Sequence, residues 1–336
     1  ELSMFVVESY SLAIVMLFIT MLCWGSWANT QKLASKKWAF QLFYWDYAIG
    51  VLLLSLVLAF TMGSMGDSGR PFLQDLGQAT ATVIGLALLG GVIFNLSNIL
   101  LVAAIDVAGM SLAFPVGVGL ALVIGVITNY IATPVGDAMT LFFGVALVVA
   151  AIIVDAMAYK KLPGVKKATR QGLILSVAAG VIMGFFYRFV AASMSADFVN
   201  LTPGKLSPYT ALVVFSVGVL LSNFVWNTIF MKKPITGEPV SYADYFNQGD
   251  AKLHAIGILG GAIWGLGMAF SIITAGAAGF AISYGLGQGA TLIGAFWGVF
   301  IWKEFKDAPA GTNKLLGAMF GLYFVGLALI IYARVA

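Results

Sequence analysis

Ten apolar runs of about twenty residues follow one another along this chain, joined by short polar links. The hydrocarbon core of a bilayer takes about 20 apolar residues per helical crossing. The runs fall near 9–31, 40–62, 80–104, 108–131, 137–157, 171–195, 207–231, 255–275, 279–302 and 314–334. The longest link, about Lys232 to His254, is too short to build a soluble core. Composition agrees: 61% of residues are hydrophobic, 10% are charged, and mean hydropathy is +0.98. The expected fold class is an all-α integral membrane protein with ten transmembrane helices.

Several chemistries are excluded early. The run from Leu12 to Cys23 lacks a basic leader and continues into Trp24 and Trp27 without a small-residue cleavage site, so it reads as a retained helix. Glu1-Leu2-Ser3, ahead of Met4, reads as a cloning remnant. One cysteine, Cys23, makes no intramolecular disulfide, and with one histidine, His254, no zinc or haem centre is expected. No Walker-type phosphate loop occurs, and no cofactor is expected. The net charge of +4 sits in pairs flanking the runs, which is no nucleic-acid footprint.

Those pairs set topology instead. Of 18 Lys/Arg, fourteen lie in or beside the odd-numbered links: Lys32, Lys36, Lys37; Lys160, Lys161, Lys166, Lys167, Arg170; Lys232, Lys233, Lys252; Lys303, Lys306, Lys314. Only Arg70, Lys205 and Arg334 lie on the other side, and Arg188 falls inside the sixth run. The positive-inside rule puts the odd links in the cytoplasm and both termini outside. A plasma membrane is expected, of the bacterial inner-membrane kind, around a monomer or homodimer.

The halves repeat. Leu-Gly-Gly-Val-Ile-Phe-Asn-Leu from Leu89 returns as Leu-Gly-Gly-Ala-Ile-Trp-Gly-Leu from Leu259. Val107-Ala108-Gly109 returns as Ala277-Ala278-Gly279, and Gly117-Val118-Gly119 as Gly287-Gln288-Gly289. Every match falls 170 residues later without a gap. Gly50-Val51-Leu52-Leu53 echoes more weakly in Gly218-Val219-Leu220-Leu221. Five crossings per half is odd, so the second half enters the membrane in the opposite sense, as in secondary transporters with a site between the repeats. The expected division is a first five-helix repeat at 1–159, a basic cytoplasmic linker at 160–170, and a second repeat at 171–336. Glycines at small-xxx-small spacing (Gly261/Gly265, Gly285/Gly289, Gly317/Gly321) suit close helix packing.

Polar groups at membrane depth are costly and face a cavity or another helix. Asn95 and Asn98 share one face of the third run. Gln288 follows Tyr284 by one turn in the ninth, and Asn223 and Asn227 repeat the pattern in the seventh beside Trp226. Trp24 and Trp27 lie in the first run, and Trp264 matches Phe94 in the eighth. Amides with large aromatics suit an uncharged flat or polyhydroxylated molecule; each amide alone serves equally well as glue between helices. Asp46, some six residues into the second run, is either a proton carrier or an interfacial carboxylate beside an aromatic belt. Arg188 snorkels to the outer interface or binds substrate, and Asp106 and Asp155 read as capping or solvated groups at helix ends.

Taken together, these features resemble the drug/metabolite transporter superfamily and, within it, the ureide permeases. The resemblance rests on Gly25-x-Trp27, Tyr44-x-Asp46-Tyr47, Gly90-Gly91-Val92 leading to Asn98, and Tyr209-Thr210-Ala211. It continues from Ala278-Gly279 through Gln288 to Phe296-Trp297-Gly298 and Glu304. It implies proton-coupled uptake of allantoin and nucleobases such as uracil and xanthine, with Asp46, Asn98 and Gln288 foremost. The related glucose/ribose porters share this architecture, and Trp24-Gly25-Ser26 would suit them equally. The link around Lys160–Arg170 is short where plant ureide permeases carry a long hydrophilic loop.

The expected function is secondary active transport by alternating access, without enzymatic chemistry. Asp46 would carry the proton. Asn98, Asn95, Gln288, Asn223 and Tyr284 would bond a small neutral polar substrate, and Trp24, Trp27 and Trp264 would stack on it. The pocket is expected among crossings 1, 2, 3, 7, 8 and 9. A sugar porter and a drug/metabolite exporter are the alternatives; an exporter should show an apolar cavity rather than clustered amides.

Overall fold

The computed structural model describes residues 3–336, apart from the side chain of Met110, so Glu1 and Leu2 lie outside the described residues. Ten helices long and apolar enough to cross a membrane run through it. They are α1 (Tyr10–Ala34), α2 (Phe40–Phe60), α3 (Ala81–Ala108), α4 (Ser111–Ala132), α5 (Ala138–Tyr159), α6 (Arg170–Ser193), α7 (Pro208–Lys232), α8 (Ala251–Ile273), α9 (Phe280–Ile301) and α10 (Thr312–Ala333). Each lies within a few residues of its expected run. The starts are marked by side-chain caps that satisfy otherwise unpaired amides: Ser9, Thr80, Asp137, Thr169, Ser207 and Asp250.

Glycine decides how closely the helices approach. A Cβ on Gly91 of α3 would lie 2.1 Å from the Phe215 carbonyl oxygen of α7, and one on Gly261 of α8 would lie 1.9 Å from that of Tyr47 in α2. Gly50 of α2 likewise leaves 2.1 Å to the Ile258 oxygen, and Gly218 of α7 leaves 2.4 Å to the Leu88 oxygen. Leu88/Ile258 and Gly91/Gly261 both stand 170 residues apart, so one half makes the contact that the other makes in return. Phe94 and Trp264, a further pair at this offset, stack on each other at 4.3 Å and 27°. Gly109 and Gly279 close the series: both hold positive φ, +76° and +85°, where the chain leaves α3 and where it enters α9.

Three helices are interrupted along their length. α1 turns at Trp27 between Tyr10–Ser26 and Ala28–Ala34. α4 opens with a π-helical turn at Phe114–Val118 that contains Pro115. α9 breaks between Gly287 and Ala290 and ends in a second π turn, Trp297–Ile301. Such turns release backbone groups from the regular ladder and recur at functional sites.

The links on the side of Arg70 are tied together. Arg70 Nε donates to Asp75 Oδ1 at 2.8 Å, and Arg70 Nη2 to the Lys205 carbonyl at 2.7 Å. Asp75, fully buried, also accepts the Ser207 amide at 2.8 Å. Met4 donates its amide to the Ser68 carbonyl at 2.7 Å, which lays the N-terminal segment over the same links.

Candidate functional site

A cavity of about 430 Å³ runs from the middle of the helices to the opposite side, where Lys32, Trp302 and Glu304 form its mouth. Its inner wall is an aromatic stack. Phe94 lies on Trp264, and Trp24 lies nearly parallel to Trp264 at 5.9 Å and 13°. The Trp24 indole donates to the Trp264 carbonyl at 3.2 Å, fixing α1 to α8 at this depth. Trp27 also lines the space and rests on Tyr47 at 4.9 Å.

Two amides face this wall. Asn98 Nδ2 donates to the Tyr44 hydroxyl at 3.1 Å, which orients the amide from α2 and leaves its oxygen available. Gln288 lies at the break in α9, half-buried in the cavity. The break is what allows it there, because a regular turn at this point would carry the side chain around the helix.

At the mouth, α1 and α9 are stitched together. Trp297 Nε1 donates to Ser26 Oγ at 2.9 Å, and Trp302 Nε1 to Asn29 Oδ1 at 2.7 Å. Lys32 stands 4.0 Å over the Trp302 ring and 3.6 Å from Glu304. Glu304 also accepts the Tyr159 hydroxyl at 2.8 Å. No member of this network belongs to the links around Arg70.

Of the residues expected at the site, Trp24, Trp27, Asn98, Trp264 and Gln288 line one cavity. Asn95, Asn223, Tyr284 and Asp46 do not. Asn95 Nδ2 donates to Ser222 Oγ at 3.1 Å and Asn223 Oδ1 at 3.3 Å, which joins α3 to α7. The Tyr284 hydroxyl donates to the Ala121 carbonyl at 2.8 Å, joining α9 to α4. Asp46 is buried under the short helix Tyr242–Gln248: Tyr245 donates its hydroxyl to Oδ1, and His254 Nδ1 lies 2.8 Å from Oδ2. Burial, and then the bond to Asp46 and its charge, push the Tyr245 phenol above its usual range. Trp38 covers both rings edge-on.

The lining helices also differ from expectation. The cavity is walled by α1, α3, α4, α5, α6, α8 and α9, while α2 and α7 contribute none of the lining side chains. Their inward faces are taken up by the glycine contacts to α8 and α3. Asp155 is also not the capping or solvated group at a helix end that the sequence suggests. The structure corrects this: α5 continues to Tyr159, Asp155 is 2% exposed, and it lines the cavity. Its i, i+4 spacing to Tyr159 was the available signal.

The comparisons with known proteins fit this architecture. Ureide permease 1 of Arabidopsis thaliana is 24% identical over 385 residues, covering 97% of this chain and 98% of that protein. Ureide permease 4 of the same plant is 24% identical with the same coverage of both. A solved crystal structure, 15% identical, superposes with a TM-score of 0.59 over 97% of this chain and 99% of its own, which shows the fold alone. The ureide permease family model matches residues 43–169 and 160–333. Ten apolar crossings around an interior cavity, together with that match along nearly the whole length, show that the chain belongs to the ureide permease family and is a multi-pass membrane transporter, not an enzyme.

Proposed function

We propose that this protein is a secondary active transporter that takes up a small, neutral, flat metabolite of the ureide or nucleobase class by alternating access, with protons as the coupling ion. The observation that carries the substrate class is the facing of the Phe94–Trp264–Trp24 wall by Asn98 and Gln288 within one cavity. A flat amide ring stacks on the aromatics and exchanges hydrogen bonds with the amides, which both donate and accept. The names of the Arabidopsis relatives agree with that class. Against a lipophilic cation the two amides would be left unpaired.

Alternating access is supported by the reciprocal contacts of the halves, 1–159 and 171–336. Swapping them exchanges the Gly91–Phe215 contact with Gly261–Tyr47, and Gly218–Leu88 with Gly50–Ile258. In the inverted-repeat reading, the same contacts rocked to the other side would open a cavity toward Arg70 and close this one. The odd links lie in the cytoplasm and both termini outside, so the cavity faces inward. Asp46 does not reach the cavity, so any proton role it has would act through His254 and Tyr245.

A thermal-shift screen of the purified protein tests the substrate class, because ligands that bind the folded state raise its apparent stability. Allantoin, uracil or xanthine should raise Tm, and monosaccharides and lipophilic cations should not. A shift with sugars alone would keep the carrier mechanism and reassign it as a sugar porter. A shift with lipophilic cations alone would make it an exporter.

A further inference from the structure

Outside the aromatic wall, one group in the cavity has no structural role to explain it. Asp155 Oδ1 is buried without a hydrogen-bond partner, and the side chain is 2% exposed. It stands one turn before Tyr159 on α5, in the stretch of cavity between the wall and the mouth. Another carboxylate, Glu304, lines the same cavity and accepts the hydroxyl of Tyr159. The other titratable groups facing this corner are Tyr159 from the same helix and Tyr323 from α10, both phenols. Lys32, the one cation among the described residues that line the cavity, is engaged with Glu304 at 3.6 Å.

The two carboxylates are therefore unequal. Glu304 has a cation and the Tyr159 hydroxyl, at 2.8 Å, to hold its charge. Asp155 has neither, and an unpaired carboxylate at membrane depth beside a like charge is expensive. Groups in that position mark proton relays. Asp46, by contrast, has both oxygens occupied by Tyr245 and His254.

We infer that Asp155 is the proton-carrying group of the transport cycle and that Glu304, fixed by Lys32 and Tyr159, is the charge that governs it. This rests on the transporter reading above. In the state described, Asp155 shares the cavity with Asn98 and Gln288, so proton and substrate leave by one mouth. The O–H bond of the Asp155 carboxyl breaks, the proton passes to cavity water, and the electron pair stays on the carboxylate. That ion, facing Glu304, retakes a proton when the cavity next opens to the other side.

Two measurements test this, one of which needs no substrate. In infrared spectra of the substrate-free protein, a carboxyl carbonyl band that disappears on raising pH should be missing in Asp155→Asn and kept in Asp46→Asn. Glu304→Gln, by removing the like charge, should move its midpoint toward acid. A titrating band retained in Asp155→Asn, or lost only in Asp46→Asn, overturns the assignment.

In proteoliposomes with uracil or allantoin, one coupled proton gives about tenfold accumulation per pH unit of gradient. Asp155→Asn should lose that accumulation while still exchanging internal for external substrate, and Asp155→Glu should restore it. Gradient-driven accumulation at the wild-type level in Asp155→Asn also overturns the inference. If the wild type moves none of these compounds, the substrate reading fails, and the infrared titration still decides whether Asp155 carries the proton.

Discussion

The amides at membrane depth, Asn95, Asn98 and Gln288 among them, are alike in chemistry but differ in what they have left to offer. Gln288 is half-buried at a helix break, with no side-chain bond to another described residue, so its full donor and acceptor capacity faces the cavity. Asn98 spends one donor on Tyr44, and Asn95 spends its amide on α7. Losing a hydrogen bond to a ligand costs about 1–1.5 kcal/mol, or about tenfold in affinity. Gln288→Ala should therefore weaken uracil or allantoin binding about tenfold with little change in Tm, and Asn98→Ala should weaken it as much while also lowering Tm, because the buried Tyr44 hydroxyl loses its partner. Asn95→Ala should leave affinity unchanged and lower stability by about 1–3 kcal/mol, because Ser222 and Asn223 lose their partner in a buried site. Titration calorimetry alongside thermal melts separates the two patterns; equal affinity losses in all three would remove the distinction. The sequence showed that amides lie at depth, but the rotation that turns Asn98 inward and Asn95 toward α7 comes only from packing. Asp155 was illegible for a related reason. The like charge beside it, Glu304, and the Lys32 that holds Glu304 stand far away along the chain, and only the α1–α9 stitching brings them to one corner.

Element boundaries were largely legible, because a bilayer sets helix length and the caps are written locally as Ser, Thr or Asp. The interruptions were not. Pro115 explains one π turn and Gly287 and Gly289 flank the break at Gln288, but no such residue pair marks the turn at Trp297–Ile301, where Trp297 bonds Ser26 of α1. Glycine spacing was ambiguous in the same way. Gly261 leaves no room for a Cβ against α2, whereas Gly317 and Gly321, at the same small-xxx-small spacing, have nothing within 4 Å. The repeat distinguishes them: Gly261 has a counterpart in Gly91, and the α10 pair has no such contact. Gly261→Ala should force α2 and α8 apart and cost about 1–3 kcal/mol as overpacking. Gly317→Ala should be neutral or stabilising, since alanine is the better helix former by about 1 kcal/mol. Thermal melts in detergent decide this, and a Gly261→Ala variant as stable as the wild type would mean that the helices can separate freely.

At the scale of the whole molecule, the two faces are held by different chemistry. The closed face depends on an ion pair with a buried carboxylate, Arg70 with Asp75, whose second oxygen accepts the Ser207 amide and so spans the two halves. The open face has only partly exposed contacts among Lys32, Glu304 and Trp302. Breaking a buried pair costs about 3–5 kcal/mol because the remaining charge is stranded. Where that pair forms in one state only, its loss shifts the balance between states by the same amount. Asp75→Asn should therefore favour the state open toward Arg70, and a cysteine in the present cavity reports it. In a Cys23→Ser background, Val102→Cys should react with an impermeant maleimide added from the Lys32 side and not from the Arg70 side. Adding Asp75→Asn should slow that reaction tenfold or more, since about 1.4 kcal/mol already corresponds to a factor of ten. An unchanged rate would mean that the Arg70–Asp75 pair survives in both states, and that the seal lies deeper, among Tyr187, Ser271 and Tyr284, where the hydroxyls already bridge α6 to α8 and α9 to α4.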